Sequence, residues 1–564
     1  MTSNMNQSDM NLNYLWPHQV TENTRRSANY QPNIWSDTFL QSLASKYNKK
    51  KFDMHLKKWV IKVRGLFAQE MDVLQRLELV DWIQRLGLAN YFQKEINDAL
   101  VSTKNSNNFG TQDNLHGSAL CFRLLRQHGY KVLPANMLGN FLDEKGIVKK
   151  KSSFADHGKD VMELLEASHL WLEGENILDG GGAKKFATNW IKDASSLSIN
   201  INDIVERVVH ALELPSHWRV SWFDVKWHVR QYQKEKHMDP ILLELSKLNF
   251  NIIQAKLQKE VRELSRWWEN LDLQKDLSFA RNRLVESFMC AAGVAFEPKN
   301  KSIRNWLTKV IIFILVIDDI YDIHALFGEL ELFTMAFDRW DAKELDELPD
   351  YMRICFNSLK DVTNEIAYEI AGEKNFDMVL AYLKKAWRDF CNALYTEAKW
   401  YRMGYIPSLQ EYLSNAWISS SGPVILLHSY FATMHEVADD IDNFLHTYED
   451  LIYNVSLVIR LCNDLATSVA EKERGDAASA ILCYMNQMGA SEEEARKHIH
   501  NTINNAWKRI NGHCFTQDAS VEPFLTQAQN AARVAHTLYL NGDGFGIQDR
   551  DIKKHILSLL VEPL

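Results

Sequence analysis

Apolar positions along this chain recur at three- and four-residue intervals. Leu74, Leu77, Leu79, Val80, Trp82, Ile83, Leu86 and Leu88 keep that rhythm in the first half, and Leu248 to Leu264 keep it in the second. Residues 35 to about 235 therefore read as many short helices without strand alternation, and from about 241 the helices lengthen. One stretch stands apart. The apolar run Val310–Ile317 ends abruptly in Asp318, Asp319 and Asp322. On a helix, residues four apart share a face. Asp318 and Asp322 then point the same way, with Ile311 and Leu315 further down that side, and Asp319 lies about 100° round. An oily wall with an acidic rim is predicted. A second polar line is spelled by Asn463, Thr467 and Glu471, at i, i+4 and i+8, with Arg460 one turn earlier and Asp464 off the line in a supporting place.

Composition sharpens this picture. With 564 residues, two domains are expected. Seventeen Trp, 26 Phe and 19 Tyr supply ample core, and only 23 Gly and 11 Pro leave few helix breakers. A net charge of −9 argues against a nucleic-acid partner. The seven Cys are dispersed without a CxxC pair, as expected of reduced thiols. No apolar run reaches the roughly 18 residues of a membrane span. The polar stretch MTSNMNQSDMNLNYLW lacks an apolar signal core and reads as no transit peptide, so a cytoplasmic protein is expected.

Carboxylates crowded at a helix end repel one another unless a hard cation sits among them. Oxygen-only ligands favour magnesium or manganese, completed by water and substrate phosphate. The two lines therefore predict a metal–diphosphate clamp above an apolar pocket. Arg281 and Arg283, two apart, suit a loop gripping an anion. Ser419-Ser420-Ser421-Gly422-Pro423 breaks an apolar helix and frees carbonyls. Gly180-Gly181-Gly182 lacks the phosphate-loop pattern and reads as a helix–helix loop. Asp439-Asp440-Ile441-Asp442 has the wrong spacing for a clamp and reads as an exposed loop. Residues 1–34 read as a poorly ordered arm, and the boundary between domains is expected near 235–240, giving 35–238 and 239–564 as the two domains.

DDxxD at 318–322 and NDxxTxxxE at 463–471 together resemble plant class I terpene synthases. Arg25-Arg26-x8-Trp35, Arg266-Trp267-Trp268, Arg281-x-Arg283 and Gly542-Asp543-Gly544-Phe545-Gly546 agree. The resemblance runs from about residue 25 to the end, and the RRx8W element is similar to that of the monoterpene, isoprene, ocimene and α-farnesene synthases. It implies an all-α fold of two helical domains, a C-terminal class I terpenoid synthase bundle and an N-terminal relic α-barrel without its own chemistry. It implies three Mg2+ ions, replaceable by Mn2+, on Asp318, Asp322 and an assisting Asp319, and on Asn463, Thr467 and Glu471. Arg281, Arg283 and Arg460 would hold the diphosphate. Arg25, Arg26 and Asp543 would close over the mouth, with Cys290, Ile311, Leu315, Ser421 and Gly422 around the pocket.

Departures from the family pattern carry information too. Cys290 stands where many relatives have Trp, which removes an aromatic face for cyclic cations. Asn282 stands where Asp is usual, and Ser479 where some relatives carry Lys. Wording such as RRSANYQPNIW and LELPSHWRVSWFDVKW implies farnesyl diphosphate converted to acyclic (E,E)-α-farnesene, by a monomer without nucleic-acid or membrane partners. The rivals are geranyl diphosphate converted to (E)-β-ocimene, a chain-elongating prenyltransferase, and a helical scaffold. No histidine or carboxylate stands out as a base inside the pocket, which leaves diphosphate itself for that role.

Overall fold

The structure is a computed structural model. It describes residues 25–28, 30–105, 114–142, 158–175, 182–196, 202–341, 347–373, 375–433, 441–474, 478–546, 548 and 550–564. The described residues form helices and connecting turns, with no β-strand among them. Several helix starts follow from local chemistry. Asp72 accepts from Gln75 N at 2.8 Å, and the Gln75 side chain returns to Asp72 N, closing a capping box on helix Val73–Arg85. Asp239 caps helix Pro240–Asn270, and Pro240 sits in its first turn, where its missing N–H costs nothing. That helix runs on through Arg266-Trp267-Trp268 to Asn270.

One apolar core extends across the expected boundary at 238/239. Trp222 stacks on Phe250 at 5.3 Å, Lys226 Nζ donates to the Glu562 carbonyl at 2.7 Å, and Asn251 exchanges hydrogen bonds with Leu564. Of the residues expected as a loose arm, Ile34 is tied down, its N–H donating to Gln548 Oε1 at 3.0 Å. Trp35 is buried and donates from Nε1 to Glu286 Oε1 at 2.8 Å. Of the acidic decoy, Asp439 and Asp440 lie outside the described residues. Asp442 belongs to the helix Ile441–Thr447, not to a loop, and accepts from Tyr382. Gly180 and Gly181 are likewise outside, and Gly182 opens helix Gly182–Ser196.

Two histidines are locked into the seam between the halves. His217 shares a 2.8 Å hydrogen bond with Asn511 Oδ1, and His536 accepts from Trp507 Nε1 at 2.9 Å while stacking on Trp218. Burial pushes both imidazoles down to about 3, far below the ordinary 6.5. A depressed folded-state value means that stability is full above the unfolded value and is lost as pH falls towards the folded one. Going from about pH 7 to about pH 5 is expected to withdraw about 2 kcal/mol per histidine. Thermal denaturation across that range checks it, and His217→Gln should flatten the slope.

Candidate active site

The acidic stretch ends helix Lys301–Asp319. Ile311, Ile314, Leu315, Asp318 and Asp322 line one cavity, a stripe at helical spacing that puts oil below and carboxylate above. The backbone changes at its rim. Ile320–His324 form a π turn, and Ala325 N bonds to the Ile320 carbonyl at 3.0 Å, five residues back. The wider turn re-aims Asp322 relative to an ideal α-helix. Facing this wall is helix Glu449–Arg474, whose Ile459, Arg460, Asn463, Thr467 and Glu471 line the same cavity. The cavity encloses about 180 Å³ and is floored by Cys290, Val294, Val534 and Leu538. A larger open groove of about 1570 Å³ lies behind the second wall, around Trp218, Cys462 and Trp507, and its described lining carries Glu213, Glu492 and Glu493 but neither of the two polar lines.

Two arginines meet the cavity, each held by carboxylates and a tyrosine. Arg281 Nη2 reaches Asp318 Oδ2 at 2.5 Å, its Nε reaches Asp319 Oδ1 at 2.9 Å, and its backbone N donates to Asp319 Oδ2 at 2.7 Å. Arg460 donates to Glu397 Oε2 at 3.0 Å and to the Tyr412 hydroxyl at 2.7 Å, and pairs with Asp464 at 3.2 Å. Tyr412 and the Ala480 backbone N–H both donate to Asp464. Asp464 therefore ties Arg460 to the start of helix Ala480–Met488. The carboxylates beside both guanidiniums hold them well above their ordinary range, against burial.

Several expectations are corrected here. Asp319 does not join the acidic rim. It is 1 % exposed, absent from the cavity wall and turned onto Arg281, because one residue of helix rotation carries it off the Asp318 face. Burial pushes its carboxyl up to about 6. Arg283 is absent from the cavity wall too. It is buried and spends its guanidinium on carbonyls of Phe545, Gly546, Asn282 and Gln31, so it pins the C-terminal loop. Gly422 packs against Ser456, where a Cβ would come within 2.2 Å, and leaves the wall to Ser419, Ser420 and Ser421. Ser421 takes φ +65° at the break, and Pro423 has no N–H to return to the Ser419 carbonyl.

The arm docks on the rim. Arg25 makes two bonds to Glu329, at 2.7 and 2.6 Å, and Arg26 donates to the Asp322 carbonyl and to the Tyr401 hydroxyl. Asp543 lines the cavity and accepts from Phe545 N at 3.0 Å. Tyr30, Glu397, Tyr412 and Tyr539 also line it, and none carries a motif that sequence reading could use. Glu397 adds a buried carboxylate to the wall. It is 3 % exposed and also accepts from Asn415 and Ser419.

Residues 269–509 match the metal-binding domain of the terpene synthase family, and residues 34–212 match the terpene synthase N-terminal domain. The chain belongs to the terpene synthase family. The synthase is 51 % identical to the alpha-farnesene synthase of Ricinus communis, covering 96 % of this chain and 95 % of that one. It is also 51 % identical to the (E,E)-alpha-farnesene synthase of Malus domestica, covering 96 % and 94 %. Among solved structures, limonene synthase with 2-fluorolinalyl diphosphate superposes with a TM-score of 0.90 at 36 % identity, covering 96 % of the synthase and 100 % of that chain. Isoprene synthase from grey poplar leaves, in complex with three Mg2+ ions and dimethylallyl-S-thiolodiphosphate, superposes with 0.84 at 41 % identity, covering 94 % and 99 %. The synthase is thus an all-α lyase with a metal-binding domain. No described helix is long and apolar enough to cross a membrane.

Proposed function

We propose that this synthase ionises farnesyl diphosphate with magnesium and deprotonates the allylic cation to acyclic (E,E)-α-farnesene, releasing diphosphate. The observation that carries this reading is the pair of polar lines facing each other across an apolar cavity, 318/322 on one wall and 463/467/471 on the other. The donor set fits magnesium. All five donors are oxygens, and among the described residues no three acidic, histidine or cysteine side chains converge closely enough to hold an ion by themselves. A site of that kind leaves coordination positions for water and substrate phosphate. Asp318 and Asp322 would hold metal on one side, and Asn463, Thr467 and Glu471 on the other. When bound, the metal supplies Lewis-acid stabilisation of charge on the leaving oxygen, and manganese has the same oxygen preference.

The chain's own groups do the rest. Arg281 and Arg460 present fixed positive charge to the diphosphate, already oriented by their carboxylates. The allylic C–O bond breaks with its electron pair on the leaving oxygen. Ile311, Ile314, Leu315 and Val294 hold the hydrocarbon chain. Cys290 gives a small neutral wall, its thiol pushed up to about 12 by burial, where an aromatic would favour folded cations. Glu397 is committed to Arg460, which leaves the departing diphosphate to take the proton. The two relatives named as α-farnesene synthases support this product, and a cytosolic monomer goes with it.

Gas chromatography–mass spectrometry after competition between farnesyl and geranyl diphosphate, with magnesium, tests the proposal. A dominant α-farnesene peak is expected. A dominant ocimene peak, or only cyclic hydrocarbons, would overturn it.

A further inference from the structure

Among the described residues of the arm, Tyr30 alone lines the cavity. The Arg281 guanidinium lies over its ring, 4.9 Å from the centroid. Both flanks of Tyr30 are fastened. Arg26 is bonded to Asp322 and Tyr401, and the Gln31 carbonyl accepts from Arg283, which also holds Phe545 and Gly546. Arm, acidic rim and C-terminal loop are therefore tied together on either side of Tyr30.

The two arginines differ in what holds them. Glu397, Tyr412 and Asp464 all come from helices of the bundle, so the cradle of Arg460 persists whatever the arm does. Arg281 keeps Asp318 and Asp319 from the bundle, but the ring face under it comes from the arm and goes with it. We propose that Tyr30 is a positioning residue. Its ring fixes Arg281 and roofs the cavity, and so decides whether the allylic cation loses a proton or captures water. This rests on the ionisation chemistry proposed above.

The two fates balance differently. In one, a C–H electron pair becomes the new double bond, and the proton goes to diphosphate. In the other, a water oxygen bonds to the cationic carbon and loses a proton, giving a terpene alcohol. A displaced roof admits water and misplaces Arg281 together.

The test compares full-length Tyr30→Ala, Tyr30→Leu and Tyr30→Phe with the parent chain, using farnesyl diphosphate, magnesium and 18O-labelled water. Tyr30→Ala is expected to raise the labelled alcohol share about tenfold and to lower kcat by about 10²-fold with little change in KM. Tyr30→Leu keeps bulk without a ring face and should leak in the same way. Tyr30→Phe keeps the face and should stay within about twofold of the parent. An unchanged alcohol share in the alanine or leucine variant, or a phenylalanine variant as leaky as alanine, would overturn the inference. Turnover by the parent chain in the same assay reports separately. Its absence sinks the proposed function, whereas tight alanine and leucine variants sink only the role of Tyr30.

Discussion

Asp318→Asn is expected to lower kcat/KM for farnesyl diphosphate by about 10²–10³-fold with little loss of stability. The carboxylate is about one-third exposed, and its partner Arg281 keeps three contacts to Asp319 if Asp318 is neutralised. The fold therefore loses only a half-solvated ion pair, about 1 kcal/mol or less. What vanishes is a negative oxygen at the rim that a hard cation needs. Asp319→Asn should show the opposite signature. Its carboxylate is buried and holds both the backbone and the guanidinium of Arg281, so stability should fall further and the magnesium dependence less. Magnesium titrations of both variants, beside their melting curves, separate the two roles. Identical profiles would mean that both aspartates do one job.

Arg460→Met should be the most destabilising change in the site, by about 3–5 kcal/mol, and it should abolish turnover. Glu397 and Asp464 are 3 % and 1 % exposed, and both lose their shared cation. Burial already holds the Asp464 carboxyl above its ordinary value despite Arg460. Without the guanidinium, the Asp464 carboxyl rises further. A carboxyl whose folded-state value is raised binds more protons folded than unfolded, so the variant loses stability as pH rises through that window. Its deficit against the parent should therefore shrink on going from about pH 7.5 to about pH 5. Adding Glu397→Gln should recover part of the stability and none of the activity. A deficit independent of pH would show that Arg460 acts by packing alone.

Much of this was legible along the chain because a helix converts spacing into direction. Ile311, Leu315, Asp318 and Asp322 share one stripe, and Asn463, Thr467 and Glu471 share another, as the three- and four-residue intervals require. The same logic placed Asp464 off the line, in the supporting contact it makes with Tyr412 and Ala480. Spacing says nothing about a neighbour distant in sequence. Arg283 looked like a twin of Arg281, yet it answers to carbonyls about 260 residues away. Glu397 stands 63 residues from the arginine it orients, and Tyr30 comes from an arm read as loose.

The sequence by itself determined the helices, their apolar stripes and the identity of the oxygen donors, because backbone periodicity and side-chain chemistry are local properties. Only the tertiary structure decided which stripes face each other across the cavity. It also decided that Asp319 serves Arg281 rather than the rim, that a π turn re-aims Asp322, and which buried carboxylate holds which guanidinium. Desolvating a charge is tolerable only where its partner already waits, and that partner is supplied by another helix.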